Sequence, residues 1–198
     1  GTCQMLFSVC IPCYKREADL AQTLASREIA AHNAPPVEIL VLDYQKHNDH
    51  WNPSHAFNLC LAQARGEFIW LQGTDMFTTP EAITQARELI EQGYEYLYER
   101  HHKGAIVCNT KALRDAGGWD ERFTLYGKED RELDLRLKRR GLRWGLLPDK
   151  CVTSLHTDDA DKVKNYNVSL SKGQMSSRMA DVYQSNAENY VLAVNLWN

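Results

Sequence analysis

The sequence predicts an α/β fold with a mostly parallel central sheet and helices on both faces. Short apolar runs alternate with segments of helical period, the order that builds such sheets. Some runs are continuous rather than alternating, Val37 to Leu42 (VEILVL) most of all, as expected of strands buried on both faces. Polar residues able to do chemistry directly follow several of the runs, where open α/β sheets bind ligands.

Each element follows from local signals. Phe7 to Ile11 (FSVCI) reads as a strand ended by Pro12, and the polar YKRE turn leads to a helix over 18–31, with Leu20, Leu24 and Ala31 at helical spacing. Pro35 and Pro36 break the chain before the strand Val37 to Leu42, which ends at Asp43. Pro53 opens a helix stopped by Gly66 before the strand EFIWL, ending at Leu71. Thr79 and Pro80 predict a helix start, the hydroxyl capping free amides, with the helix running to Gln92 and ended by Gly93. Strands are expected at Tyr94 to Tyr98 and Ala105 to Cys108, then a short helix from Thr110 to Ala116 closed by Gly117 and Gly118. A charged amphipathic helix follows from Glu129 to Arg140, with Leu133 and Leu137 on one face and Arg131, Asp134 and Lys138 on another. Arg143 to Leu147 and Cys151 to Leu155 read as further strands, and Met175 to Leu196 as a helical tail. The 198 residues fit one domain, spanning 1–198, with its core at about 6–156 and a C-terminal tail at 157–198.

Composition narrows the function classes. Hydrophobic residues make up 43% and charged residues 25%, an ordinary globular balance. A net charge of -3 and a pI near 6.2 leave no excess of cations to displace the counterions of a phosphate backbone, so nucleic acid is not an expected partner. No apolar run approaches the roughly 20 residues that span a bilayer, so no integral membrane segment is expected. The six cysteines, Cys3, Cys10, Cys13, Cys60, Cys108 and Cys151, sit mostly in apolar contexts, which suits buried thiols in a reducing compartment. Cys10 and Cys13 form a C-x-x-C without a second pair at metal spacing, so ordinary strand positions are expected rather than a zinc site. The expected location is cytoplasmic, with peripheral attachment to a membrane left open.

The candidate chemistry lies at the strand ends. Pro12, Tyr14 and Arg16 leave the first strand and Asp43 ends the second, so an aromatic face and a carboxylate can converge there; a solvated turn with a capping Asp explains them equally well. Asp75, in the loop Gln72 to Met76, can share a divalent cation with diphosphate oxygens, although acidic loop residues are common. Glu129 and Asp130 fall in the first turn of a helix after Gly127, where free amides and the macrodipole favour ionised carboxylates; Asp130 is expected to be deprotonated at neutral pH. An acid-rich helix start serving stability alone is the plainer account. Tyr126 and Trp119 can stack on a sugar ring or belong to the core. His156, followed by Thr157, Asp158 and Asp159, can complete a metal site with Asp75 or be structural.

Taken in order, SVCIPCYKREADLAQTLAS, VEILVLD, NPSHAFNLCLAQARGEFIWLQGTDMFTTPEAI and GGWDERFTLYGKEDRELDLRLKRRG resemble the family 2 glycosyltransferases over roughly residues 6 to 156. The segment GGWDERFTLYGKEDRELDLRL, with His156 following, is similar to the acceptor-side motif of beta-1,4-galactosyltransferases and chondroitin polymerases. The resemblance implies a GT-A fold and an inverting enzyme that moves a hexose from a nucleotide sugar, with UDP expected, to a carbohydrate or glycoconjugate acceptor in polysaccharide biosynthesis. It implies Asp130 as the general base, Glu129 as the acid that positions the acceptor, and Tyr126, with Trp119 nearby, on the acceptor side. It implies Pro12, Tyr14, Arg16, Asp43 and Asp75 as donor contacts, and Asp75 and His156 as ligands of a divalent metal, manganese or else magnesium.

The sequence departs from that family pattern in two places. The aspartates of the metal motif are here GTD, which keeps Asp75 alone, and the acidic Gly-Ser turn after the second strand is DYQ. A fold that has kept the sugar-nucleotide cleft but little or no turnover is therefore the alternative, opposed by the presence of both Glu129 and Asp130. A nucleotidyltransferase ranks last: it needs a glycine-rich loop after the first strand, and Pro12 to Glu17 contains no glycine.

Overall fold

A computed structural model describes residues 4–123, 127–155 and 188–196, without the side chains of His102 and Lys103. Its strands are β1 (Phe7–Cys13), β2 (Val37–Asp43), β3 (Phe68–Leu71), β4 (Met76–Thr78), β5 (Tyr96–Glu99), β6 (His102–Asn109), β7 (Trp144–Leu146) and β8 (Val152–Ser154). The helices are α1 (Glu17–Asn33), α2 (Pro53–Gln63), α3 (Ala82–Glu91), α4 (Thr110–Asp115) and α5 (Glu129–Arg139), and residues 188–196 are also helical.

Six strands form one sheet in the order β2-β1-β3-β6-β5-β7. β1 is parallel to β2 and β3, and β5 is parallel to β7, while β6 runs antiparallel to both of its neighbours. The sheet is thus mostly parallel, as expected, with β6 the reversed strand. β4 and β8 form a separate antiparallel ribbon, pairing Met76 with Ser154 and Thr78 with Val152.

β1 is buried along its whole length and shows why two cores exist. Its odd residues Phe7, Val9 and Ile11 face a cluster with Trp70, Ile83 and Leu97, whereas Cys10 faces a cluster with Ile69, Leu133 and Leu137 on the other side, the period-two alternation of a pleated strand. The described cysteines, Cys10, Cys13, Cys60, Cys108 and Cys151, are free and buried, small apolar bodies in these cores.

Three local expectations give way, and one strand, β4, has no counterpart in the sequence pattern. β2 is an edge strand, not a doubly buried one, and Val41 is 45% exposed; Leu40 and Leu42 pack on one core and Val37 and Ile39 on the other, but most of the run is only partly buried. The buried face of α1 is Asp19, Thr23, Arg27 and Ala30, while Leu20, Leu24 and Ala31 pack only partly against the core. α3 starts at Ala82, and Thr79 contributes its backbone rather than a hydroxyl cap: its amide donates to the Cys151 carbonyl and its carbonyl accepts from the Ala82 amide. β4 was not anticipated because three residues beside a glycine loop carry no periodicity.

The reversed β6 sets up the return of the chain. α4 begins where β6 ends, its Thr110 hydroxyl donating to the Gly66 carbonyl at the start of β3. From there the chain climbs along α2. Arg114 donates to the carbonyls of Leu61 and Ala64, and Asn58 exchanges hydrogen bonds with both backbone groups of Trp119. Ser54 and Asn52, at the start of α2, then donate to the carbonyls of Phe123 and Glu121. α2 starts after the carboxyl end of β2, so this path delivers the chain to the edge formed by the carboxyl ends of β1 and β2 just before α5 opens.

Candidate active site

Arg16 and Asp75 meet at the carboxyl edge of the sheet. Arg16 leaves β1 and packs its guanidinium on the Asp19 carboxylate at 2.8 and 3.0 Å, with Asp75 Oδ2 3.4 Å from the same nitrogen. The Ser154 hydroxyl donates to Asp75 Oδ2 at 3.1 Å, and the Leu155 amide donates to the Asp75 carbonyl at 2.7 Å. The β4-β8 ribbon therefore holds Asp75 on both its side chain and its backbone.

Beneath this loop lies a buried cation that no sequence signal marked. Arg27 is 1% exposed; it donates to Gln72 Oε1 at 2.9 Å, to the Thr23 hydroxyl at 2.8 Å and to the Gly73 carbonyl. The Thr23 hydroxyl reaches the Thr74 carbonyl in turn. Burial pulls the Arg27 pKa down to about 10, against the charge of Asp75, which raises it. The group is still cationic at neutral pH, so a positive charge and three donated hydrogen bonds brace the backbone that carries Asp75.

The other donor-side candidates are placed as follows. Pro12 is buried in β1 opposite Leu42 of β2. Tyr14 is buried, stacked on Trp51 with ring centroids 5.9 Å apart and edge-on to Tyr44, and its hydroxyl donates to the Asp49 carbonyl. Its ring thus organises an aromatic cluster at the mouth of β1 instead of standing open. Asp43, at the end of β2, is partly exposed and pairs with Lys46 at 3.3 Å. Tyr44 and Trp51, which the sequence reading passed over, complete that cluster.

On the acceptor side, Trp119 is 3% exposed, with its ring against Phe57 at 5.2 Å. It belongs to the core, and the expectation of an open sugar platform is corrected for this residue: its ring wedges the return path onto α2. Tyr126 and His156 lie outside the described residues.

Glu129 and Asp130 open α5 after a turn in which Gly127 and Lys128 both take positive φ, 93° and 73°. Leu133 and Leu137 are buried, and Arg136 donates to the carbonyls of Ala116 and Gly118, so the helix is anchored at its middle; at its start the helix over 188–196 packs on the turn, Asn189 donating to the Gly127 carbonyl at 2.9 Å and the Lys128 ammonium lying over the Tyr190 ring. Asp130 Oδ1 accepts from the Arg131 amide at 2.7 Å. Glu129 is half-buried, but its Oε2 is sealed from solvent and has no hydrogen-bond partner. Burial, and then the neighbouring Asp130 charge, push the Glu129 pKa up to about 7. Desolvation here outweighs the macrodipole, which favours the ionised form.

That shift has a measurable sign. The folded protein holds a proton on Glu129 that the unfolded chain releases from about pH 4.5 upward, so its contribution to stability is present in acid and lost as pH rises toward 7. Melting temperature followed from pH 4.5 to 8 is expected to decline less steeply in Glu129→Gln than in the wild type. Parallel pH profiles for the two proteins would refute the assignment.

Two carboxylates, Asp19 and Asp75, flank Arg16 at this edge. Among the described residues, the one group of three that can share a metal ion lies elsewhere, formed by Glu99, His101 and Asp149. No described helix is long and apolar enough to cross a membrane.

No protein-family model and no curated protein sequence matches the chain. Solved structures do. TarS of S. aureus, residues 1–349 in complex with UDP-GlcNAc, superposes with a TM-score of 0.64 at 16% identity, over 91% of this chain and 72% of TarS 1–349. The catalytic domain of Drosophila beta-1,4-galactosyltransferase 7 in complex with xylobiose gives 0.64 at 15% identity, over 87% and 79%. The mannosyltransferase PcManGT of Pyrobaculum calidifontis, in complex with GDP-Man and Mn2+, gives 0.62 at 14% identity, over 83% and 61%. The fold is GT-A. Its neighbours are glycosyltransferases, and at this identity the likeness carries the architecture; the chemistry of this chain rests on its own residues.

Proposed function

We propose that this GT-A chain is an inverting glycosyltransferase, moving a sugar from a nucleotide sugar to an acceptor hydroxyl by direct displacement. The observation that carries the reading is the pair Glu129 and Asp130 at the start of a braced helix, with one carboxyl sealed and raised to about 7. Asp130 removes the acceptor proton as the hydroxyl attacks the anomeric carbon. Glu129, able to hold a proton near neutrality, positions the acceptor by hydrogen bonding. Tyr126, three residues before Glu129 in sequence, is assigned to the acceptor in this scheme.

On the donor side, Arg16 stands at the exit of β1 and Asp43 at the exit of β2, where the base and ribose would lie, with Pro12 and Tyr14 shaping the floor. Uracil is the proposed base: UDP-GlcNAc accompanies TarS, and manganese and UDP-Gal accompany the galactosyltransferase. Asp75 and His156 are the proposed holders of a divalent cation, manganese first. Asp75 suits that role because the ribbon fixes it at the edge and Leu155, bonded to its carbonyl, directly precedes His156 in sequence. When bound, such a cation stabilises the charge of the departing diphosphate.

Two measurements test this reading. Thermal shift against a panel of nucleotide sugars, with and without manganese, is expected to single out a UDP-sugar; no stabilisation by any member would sink it. Activity is expected to fall at least about 100-fold in excess chelator and in Asp75→Asn, and full turnover under chelation would refute the metal role. Binding without turnover would instead support a sugar-nucleotide-binding module, the reading favoured by the single carboxylate of the GTD loop.

A further inference from the structure

A second cluster of ligating groups stands at the far end of the β4-β8 ribbon and plays no part in the proposed transfer. One ligand atom each from Glu99, His101 and Asp149 lie within 4.8 Å of one another. Glu99 ends β5 and is 1% exposed. Its Oε2 accepts from the His101 amide at 3.0 Å, while its Oε1 is buried with no hydrogen-bond partner at all. An unpartnered carboxylate oxygen in the interior is costly, and the side chain that carries it belongs to the cluster where an imidazole and a second carboxylate converge.

Both loops that carry the exposed ligands are tight. Glu99 pairs across the sheet with His102, so Arg100 and His101 form the tip of the β5-β6 hairpin. Asp149 sits in a turn closed by the Cys151 amide donating to the Pro148 carbonyl, and the Leu147 amide ties that turn to the Tyr98 carbonyl of β5. The ligands are therefore presented by backbone already fixed, with short side-chain swings left to make. Tetrahedral zinc with bonds of about 2.0 to 2.2 Å sets its ligand atoms about 3.4 Å apart, a modest contraction from the separation found here.

We propose that Glu99, His101 and Asp149 bind a zinc ion that clips the β5-β6 hairpin to the turn after β7. One imidazole with two carboxylates suits zinc better than magnesium or calcium, which favour oxygen alone. The ion gives the buried Glu99 oxygen a partner and leaves a fourth position to water. It is separate from Asp75: the Cys151 carbonyl bonds Thr79 at one end of the ribbon and the Leu155 amide bonds Asp75 at the other, four extended residues or about 13 Å apart.

The test is calorimetric titration of the full chain with zinc alone, beside melting temperatures in zinc and in chelator. His101 and Asp149 are exposed, so His101→Ala and Asp149→Asn are expected to melt with the wild type in chelator. In zinc, the wild type and Asp75→Asn are expected to share one site of the same affinity and to melt higher. Each of the other two variants is expected to bind at least tenfold more weakly and to lose the rise in melting temperature. Wild-type affinity in both of these variants, loss of zinc in Asp75→Asn alone, or no zinc bound by the wild type would overturn the proposal.

Discussion

Asp130→Asn is expected to lower kcat by about 10³-fold, within the usual range for removing a general base, while the donor dissociation constant stays within about twofold. The amide keeps the size and the hydrogen bond at the position of Oδ1, but it cannot take a proton. The helix should survive the change, because its anchorage lies further along, in Leu133, Leu137 and the Arg136 bonds to Ala116 and Gly118. Loss of kcat with an intact donor site separates a chemical role from a binding one. Glu129→Gln gives the matching contrast: if Glu129 positions the acceptor, the acceptor KM rises alongside a smaller fall in kcat. Near wild-type turnover in Asp130→Asn would remove it as the base.

Arg27→Met is the second large expected effect, on stability. The variant keeps the apolar stem but leaves the Gly73 carbonyl and one bond each at Gln72 and Thr23 without their donor. Each buried polar group left unpaired costs about 1 to 3 kcal/mol, and relief of the buried charge offsets part of this. A net loss of about 3 kcal/mol corresponds to a melting temperature lower by about 6 to 12 °C for a chain of this size. Arg27→Lys, which retains the charge but not the planar fork, is expected to fall between the two. Because the same bonds brace the loop of Asp75, any metal affinity at Asp75 should weaken in parallel. Unchanged melting of Arg27→Met would show that the loop is held by other means.

The architecture was largely legible because period and punctuation agree through most of the chain. β1, β3, α2 and α5 fall where apolar runs, Pro53, Gly66 and the Leu133-Leu137 stripe place them. What failed shares one physical cause: burial depends on what an element packs against, and a single sequence does not display its neighbours. α1 turns Thr23 and Arg27 inward because the carbonyls of the Gln72 to Thr74 segment wait there, a polar surface created only by folding. β2 carries a core-like run yet lies at the edge. The same distinction divides the candidate sites. Asp43 and Asp75 could be found as strand-end carboxylates, and Glu129 and Asp130 as a helix start. Trp119, chosen as an aromatic near those acids, is core, and Glu99, His101 and Asp149 come from distant parts of the chain that no spacing rule connects.

The reversal of β6 bears on how such a chain can change over time. Because that strand runs the other way, the polypeptide must cross back along α2 before α5 begins, and the acids are hung from this return path rather than from the sheet itself. The loop of Asp75 is fastened separately, by α1 and the β4-β8 ribbon. Insertions or replacements after Trp119 would thus lengthen or re-aim the segment that carries the acids without disturbing the loop of Asp75, so that substitutions on one could be sampled while the other stayed under selection. A chimera that takes residues 110–140 from a relative of the same fold, and keeps Asn52, Ser54 and Asn58 as its rail, is a practical form of that exchange.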